Sequence, residues 1–168
     1  MVNRLHEVLF SFYEYWRIYT KSDTLPPQYI ADTAKIDKSI ISEGCEIYGE
    51  VYDSVIGAGV IVGKGSVVRN SIIMKGTSIG ENCTVNKAII AENVVIEKNC
   101  NIGVGDDSPS RLDPKIYAFG LATIGENSFI PSNVNIGKNT AISGKTTAAD
   151  YPNGVLASGE YIIKAGDM

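Results

Sequence analysis

The chain has 168 residues, of which 44% are hydrophobic and 20% are charged, and its formal net charge is −4. This length supports one domain with a buried core and is too short for two. The acidic net charge and the lack of a basic cluster exclude a nucleic acid partner. The sequence contains no run of about 18 apolar residues, so no membrane-spanning helix is predicted. The amino terminus lacks a secretion signal, so we expect a cytoplasmic protein.

The balance of aliphatic residues predicts an all-β fold. Isoleucine and valine far outnumber leucine, and β-branched side chains pack well in strands but lose rotamer freedom in helices. The only histidine is His6. A three-histidine metal site is therefore excluded, and a catalytic Ser-His or Cys-His pair would have to use this one histidine.

The first 29 residues differ from the rest of the chain. Val2, Leu5, Leu9 and Phe12 follow helical spacing and predict a short amphipathic helix. A turn-rich linker follows at Thr20–Pro27, because two consecutive prolines continue neither a helix nor a central strand. We therefore expect a helix followed by a linker in residues 1–29.

A six-residue repeat dominates residues 30–147. Its pattern is aliphatic, Gly, variable, Gly or Asn, small or branched, variable, as in Ile79-Gly-Glu-Asn82 and Ile136-Gly-Lys-Asn139. A longer 17-residue repeat links Asp53, Asn70 and Lys87, each followed by a short aliphatic strand. Three hexapeptides then make one coil, and successive coils stack as parallel strands at about 4.8 Å. The repeat predicts a three-sided solenoid of about six coils, with its aliphatic residues inside.

The three cysteines share one place in this repeat. Cys45, Cys83 and Cys100 all stand at the fifth, inward-facing position, and none forms a Cys-x-x-Cys motif with another. We therefore expect buried core thiols and no metal site.

Two segments interrupt or follow the repeat. Residues 103–122 contain two prolines and several aspartates and predict a projecting loop. Asp106 and Asp107 in this loop are interpreted as a solvated turn, with a cation site as the alternative. Residues 148–168 predict a turn at Pro152–Gly154 and one strand, Tyr161–Lys164, and we expect this tail to cap the open end of the solenoid.

Four basic residues lie near these irregular segments. Arg111 and Lys115 belong to the loop, Lys145 follows the last full hexapeptide, and Lys164 lies in the tail. They are candidate contacts for a phosphorylated effector. Ordinary solvated surface is the alternative for each of them.

The hexapeptide pattern resembles the left-handed parallel β-helix family, which includes acyltransferases and nucleotidyltransferases. Four further segments, in the same order, resemble the carboxy-terminal part of bacterial glucose-1-phosphate adenylyltransferase, also called ADP-glucose pyrophosphorylase. The resemblance covers about residues 13–147 and rests on Trp16–Thr20 (WRIYT), Leu25–Ile30 (LPPQYI), Ile41–Cys45 (ISEGC) and Val67–Met74 (VVRNSIIM).

This resemblance implies a regulatory and oligomerisation domain of an enzyme that makes ADP-glucose and diphosphate from ATP and glucose 1-phosphate for glycogen synthesis. The family's catalytic domain, with its Mg²⁺ and ATP sites, precedes this region, and the resemblance implies that residues 1–29 are the helix and linker from that missing domain. This chain is therefore expected to have no catalytic residues, no cofactor of its own and no activity alone. The family also implies a homotetramer and a sugar-phosphate or nucleotide effector, with Lys164 as the basic contact in the tail.

Two other functions remain as alternatives. A non-catalytic regulatory subunit of the same pyrophosphorylase would share this domain. A hexapeptide acyltransferase usually needs a histidine base, and no histidine occurs between Ile30 and Met168.

Overall fold

The computed structural model describes residues 24–164, and the predicted helix in residues 1–19 lies outside this range. Within it, the chain forms short strands and two single 3₁₀ turns, at Ala148–Asp150 and Pro152–Gly154. The strands are, in chain order, β1 Tyr29–Ile30, β2 Lys35–Asp37, β3 Ile40–Ile41, β4 Glu46–Ile47, β5 Glu50–Tyr52, β6 Val55–Ile56, β7 Ile61–Val62, β8 Val67–Arg69, β9 Ile72–Ile73, β10 Ser78–Ile79, β11 Thr84–Asn86, β12 Ala88–Ile90, β13 Val95–Ile96, β14 Asn101–Val104, β15 Ala122–Ile124, β16 Phe129–Ile130, β17 Asn135–Gly137, β18 Thr140–Ser143, β19 Val155–Leu156 and β20 Tyr161–Ile163.

These strands build three parallel sheets around one interior, which confirms the all-β, three-sided solenoid. The first sheet has the order β1-β4-β7-β10-β13-β16, the second β19-β17-β14-β11-β8-β5-β2, and the third β20-β18-β15-β12-β9-β6-β3. Sheets of six, seven and seven strands make the described solenoid slightly longer than about six coils. The difference comes from the tail, whose strands β19 and β20 each add to a sheet.

The coil length follows the sequence repeat. Ile79 pairs with Ile96 at the predicted 17-residue spacing, whereas Ile41 pairs with Ile56 at the predicted 15. Ile96 and Ile130 are paired neighbours although 34 residues separate them, because the loop is inserted into that coil.

The first-place aliphatic residues form the interior, as predicted. From Ile47 onward their side chains stack in columns, and the largest fully buried ones are Ile47, Ile56, Ile73, Ile79, Ile90, Ile96, Ile102, Ile124, Ile130 and Ile136. The prediction was wrong for the first coil, where Ile30 and Ile36 are 39% and 38% exposed and Ile41 is half-buried, because a coil at the edge of the described solenoid has a neighbouring coil on one side only. Full burial of one such side chain stabilises the fold by about 1.5–3 kcal/mol. The columns therefore account for the cohesion of a molecule whose strands have only two to four residues each.

Small polar side chains stack at the corners and satisfy backbone groups between coils. The Ser71 hydroxyl donates to the carbonyl of Arg69 at 2.6 Å and accepts the N–H of Ala88 at 3.1 Å. Cys83 takes an equivalent place, since its sulfur accepts the Cys100 N–H at 3.4 Å and its thiol donates to the Glu97 carbonyl at 3.0 Å. Cys45, Cys83 and Cys100 are buried free thiols, which confirms their predicted core role.

The coil corners need left-handed backbone. The Gly-or-Asn positions of the repeat supply it, with φ of +73° at Gly65 and +56° at Asn82, as expected for residues that tolerate this region. A second corner was not predicted. There the left-handed residues include Lys38, Asp53 and Lys87, for which the sequence carries no glycine signal.

The loop between β14 and β15 is fastened to the solenoid by one buried side chain. The Asn139 amide oxygen accepts the N–H of Gly120 at 2.8 Å, and its amide nitrogen donates to the carbonyl of Ser108 at 2.9 Å. Asn139 is itself buried. Both ends of the loop are thereby tied to the last coils.

We expect Asn139→Ala to destabilise the protein by about 1–3 kcal/mol, because it leaves two backbone groups without their partner. Limited proteolysis should cut the variant faster within residues 105–121. Asn133→Ala is the matched control, since Asn133 is a left-handed corner residue but is exposed. Equal cleavage of both variants would contradict the fastening role.

The tail continues the solenoid rather than only covering it. β19 pairs with β17 and β20 with β18, both in parallel, whereas one strand alone was predicted here. Tyr151 is buried beneath this coil, and its hydroxyl lies 2.7 Å from that of Thr146. Burial raises the pKa of the Tyr151 phenol to about 12. No helix within residues 24–164 is long and apolar enough to cross a membrane.

The raised pKa of Tyr151 predicts alkaline sensitivity. The folded state holds the phenolic proton more tightly than the unfolded chain, whose tyrosines titrate near 10, as is typical. Stability is therefore expected to fall as the pH rises from about 10 to about 12. Urea unfolding across this range should show the fall in the wild type and a shallower one in Tyr151→Phe, and parallel profiles would contradict the prediction.

Candidate functional site

The carboxy-terminal coil holds two of the four predicted effector contacts. Arg111 reaches it from the loop, where its backbone N–H donates to the Gly159 carbonyl at 2.8 Å. Its guanidinium lies 2.5 Å from a carboxylate oxygen of Glu160. The cation is therefore held at the end of the solenoid by a neighbouring carboxylate.

Lys164 is placed in the same way, directly after the last strand of the tail. Its ammonium group pairs with the Asp150 carboxylate, which also accepts the Thr147 N–H at 2.7 Å. The hydrogen bond from Lys164, followed by that from the Thr147 backbone, lowers the pKa of Asp150 to about 2. The ion pair is then complete above a pH of about 4 and is lost only as the pH falls toward 2.

The two acidic partners line one open groove, here called the terminal groove. Its volume is about 470 Å³. Its walls are formed by Asp150, Pro152, Val155, Leu156, Ala157, Glu160, Tyr161 and Ile162. A negatively charged ligand in this groove would meet Asp150 and Glu160, so it has to take Lys164 and Arg111 away from these carboxylates to bind.

The other two predicted contacts lie elsewhere. Lys145 is exposed and lines a separate groove with Asn93, Phe129 and Thr147. Lys115 is exposed on the loop, where its backbone N–H donates to the Asp113 carboxylate at 2.8 Å. The structure therefore pairs Arg111 and Lys164 with carboxylates that line the terminal groove, whereas, among the described residues, Lys115 and Lys145 have no such link to it.

The acidic pair in the loop has local partners. Asp106 accepts the Ser108 hydroxyl at 3.0 Å, and hydrogen bonds from Ser158 and then Ser108 lower its pKa. Asp107 lies 3.1 Å from the Lys138 ammonium group. Within residues 24–164 no group of three His, Cys, Asp or Glu side chains is placed to hold a metal ion.

The sequence did not point to Asp150 and Glu160 as partners in this site. The paired residues are 49 and 14 positions apart, so no local spacing connects them. Only the strand register of the last coil places them together, and the residues of that coil follow the last clear hexapeptide of the sequence.

Comparison with known proteins agrees with this architecture. The chain is 64% identical over 160 residues to the glucose-1-phosphate adenylyltransferase of Lachnospira eligens, covering 95% of this chain and 38% of the relative. It is 58% identical over 149 residues to the enzyme of that name from Thermosipho africanus, covering 89% and 35%. It is 55% identical over 148 residues to the enzyme of that name from Thermotoga maritima, and the match covers 88% of this chain and 35% of that relative. The chain thus spans little more than a third of the length of these relatives.

A protein-family model also matches part of the chain. The model described as GlmU-like, C-terminal hexapeptide matches residues 28–115. This range includes most of the hexapeptide repeats and begins just before β1. The chain therefore belongs to the GlmU-like C-terminal hexapeptide family.

Proposed function

We propose that this chain is the regulatory and assembly part of a glucose-1-phosphate adenylyltransferase and does not itself carry the catalytic centre. The observation that carries the proposal is the 64% identity over 160 residues to an enzyme of that name, of which the matched part is only 38%. The described part of that match is taken up by the solenoid and its loop.

The chemistry of the described residues supports a catalytic centre that lies outside this chain. The interior is filled with aliphatic and small side chains, so it offers no cavity for a sugar nucleotide. ATP and Mg²⁺ then belong to the rest of the enzyme. What the solenoid supplies is a rigid body on which subunits assemble and effectors bind, and we propose the homotetramer of the parent enzyme as its assembly.

The terminal groove is the proposed effector site. A sugar phosphate or nucleotide would place its phosphate between Lys164 and Arg111, since charge-assisted bonds to phosphate are among the strongest available to these side chains. Asp150 and Glu160 would lose their partners, so binding would change the contacts of the last coil. Lys115 and Lys145 lie outside this groove, so the proposed site does not include them.

The assembly role can be tested by replacing the matching segment of a relative with this chain. We expect a chimera in which this chain replaces the matched segment of the Lachnospira eligens enzyme to synthesise ADP-glucose and to form a tetramer by sedimentation. The same enzyme without that segment, and this chain alone, should show no turnover with ATP, Mg²⁺ and glucose 1-phosphate. Turnover by this chain alone would overturn the proposal, as would an inactive, correctly folded chimera.

The effector role makes a separate prediction. We expect fructose 1,6-bisphosphate or AMP to raise the melting temperature of the chain by a few degrees, since ligand binding to the folded state alone is stabilising. Lys164→Met should lose at least tenfold in affinity by titration of that shift. Lys98→Met removes a lysine from a distant corner and should leave the affinity unchanged. Equal affinities in the two variants would exclude the terminal groove.

A further inference from the structure

The loop that interrupts the repeat lies directly against the tail. The Arg111 backbone N–H donates to the Gly159 carbonyl at 2.8 Å, and the Arg111 guanidinium lies 2.5 Å from a carboxylate oxygen of Glu160. Gly105, at the start of the loop, faces the Ser158 side chain, whose hydroxyl oxygen is 3.0 Å from the place a Cβ would take. Residues 105–111 of the loop therefore contact three successive residues of the tail.

Gly159 is the point of closest approach between the two segments. Its φ is +81°, and a Cβ there would lie 2.3 Å from the Pro109 carbonyl oxygen. On its other side, the Gly159 N–H donates at 2.8 Å to the carbonyl of Lys138, which lies between β17 and β18. The tail is therefore held between the loop and a corner of the preceding coil.

The last coil is attached to the solenoid on two of its three sides. β19 pairs only with β17 and β20 only with β18, and both are edge strands. The first sheet, within residues 24–164, ends at β16 and receives no strand from the tail. A segment with few partners opens at a lower free energy than the core of the same protein. The tail is thus the described part of the solenoid whose strands have the least support.

We propose that the loop and the tail open and close as one unit, and that the terminal groove exists only while this unit is closed. The unit, here called the loop–tail clasp, comprises residues 105–111 and 155–164. Every residue that lines the terminal groove lies between Asp150 and Ile162, so a tail that leaves its place takes the walls of the groove with it.

Joint opening follows from the way the contacts are shared. Arg111 binds Gly159 through its backbone and Glu160 through its side chain, and Pro109 covers Gly159. Whichever segment leaves first breaks all of these contacts, so the second segment has already lost them and opens more easily. The clasp is the same whichever ligand the groove takes, so the clasp and the proposed effector role can fail separately.

Hydrogen exchange of the full chain, read residue by residue by NMR, tests the clasp. The two reporters are the Arg111 amide in the loop and the Lys164 amide in the tail, which donates to the Ser143 carbonyl at 3.1 Å. We expect both to exchange at least about tenfold faster than the Gly63 amide of the central coils, which donates to the Ile79 carbonyl at 2.8 Å. In urea, the two reporters should show one shared slope, smaller than that of Gly63.

Two alanine variants test the coupling in both directions. Gly105→Ala strains the loop, where φ is +94°, and Gly154→Ala strains the tail, where φ is +72°. Each is expected to speed the exchange of both reporters, Arg111 and Lys164, by about tenfold, because left-handed backbone is costly for alanine. Gly59→Ala is the matched control, since its φ is +68° but it lies in an early coil, and it should leave both rates unchanged.

The opposite results overturn the proposal. A variant that speeds only the reporter in its own segment shows that loop and tail open separately, as do different urea slopes for the two reporters in the wild type. Reporters that exchange as slowly as Gly63, or that respond to Gly59→Ala, show that the clasp opens only when the whole solenoid unfolds.

Discussion

We expect Ile79→Asp to abolish folding. The Ile79 side chain is 1% exposed and lies in register between Val62 and Ile96, so the carboxylate would enter an aliphatic column. An isolated charge in such surroundings costs far more than the roughly 5–15 kcal/mol by which ordinary domains are stable. Far-UV circular dichroism of the purified variant should show an unfolded chain and no cooperative melting transition.

The neighbouring residue provides the control for this prediction. Ser78 precedes Ile79 in β10 but faces outward and is half-buried. Ser78→Asp introduces the same charge in the same strand and is expected to change stability by only about 0.5 kcal/mol, as surface substitutions usually do. A folded Ile79→Asp protein with an unchanged melting temperature would refute the inward assignment of the whole column.

The coil architecture could be predicted from the sequence because its signal is local and repeated. Ile56, Ile73 and Ile90 stand at equal spacing, and in the structure they are stacked neighbours of the third sheet. Each strand pairs with the equivalent strand of the next coil. The period of the sequence therefore gives both the register and the inward side at once.

Features that depend on contacts made by segments outside the repeat could not be predicted from the sequence. Val155–Leu156 has no hexapeptide around it, and its place next to β17 comes from the path of the tail over the last coil. The Arg111–Glu160 pair joins the loop to the tail, two segments outside the repeat. The left-handed conformation of Lys38 comes from the corner that the coil has to turn, since the lysine side chain does not itself favour it.

Gly103 is the residue at which the regular coil gives way to the loop. Its φ is +78°, and the pairing of β14 with β17 shifts register between Ile102 and Val104. A Cβ at this position would lie 1.8 Å from the Asn86 carbonyl oxygen of the adjacent strand β11. Backbone atoms on both sides are held by the sheet, so neither can move aside without breaking strand pairing.

We therefore expect Gly103→Ala to destabilise the protein by about 2–5 kcal/mol, from left-handed strain and overpacking together. Gly59→Ala separates the two causes, because Gly59 also has positive φ, +68°, but a Cβ there would meet only the Leu25 side chain at 3.7 Å. That variant should lose only about 1–2 kcal/mol, the cost of the left-handed conformation. The shift in urea midpoint, measured with an unchanged slope, gives both values. Equal losses would show that backbone strain alone fixes glycine at position 103, whereas the larger loss shows that the register of β14 against β11 requires it.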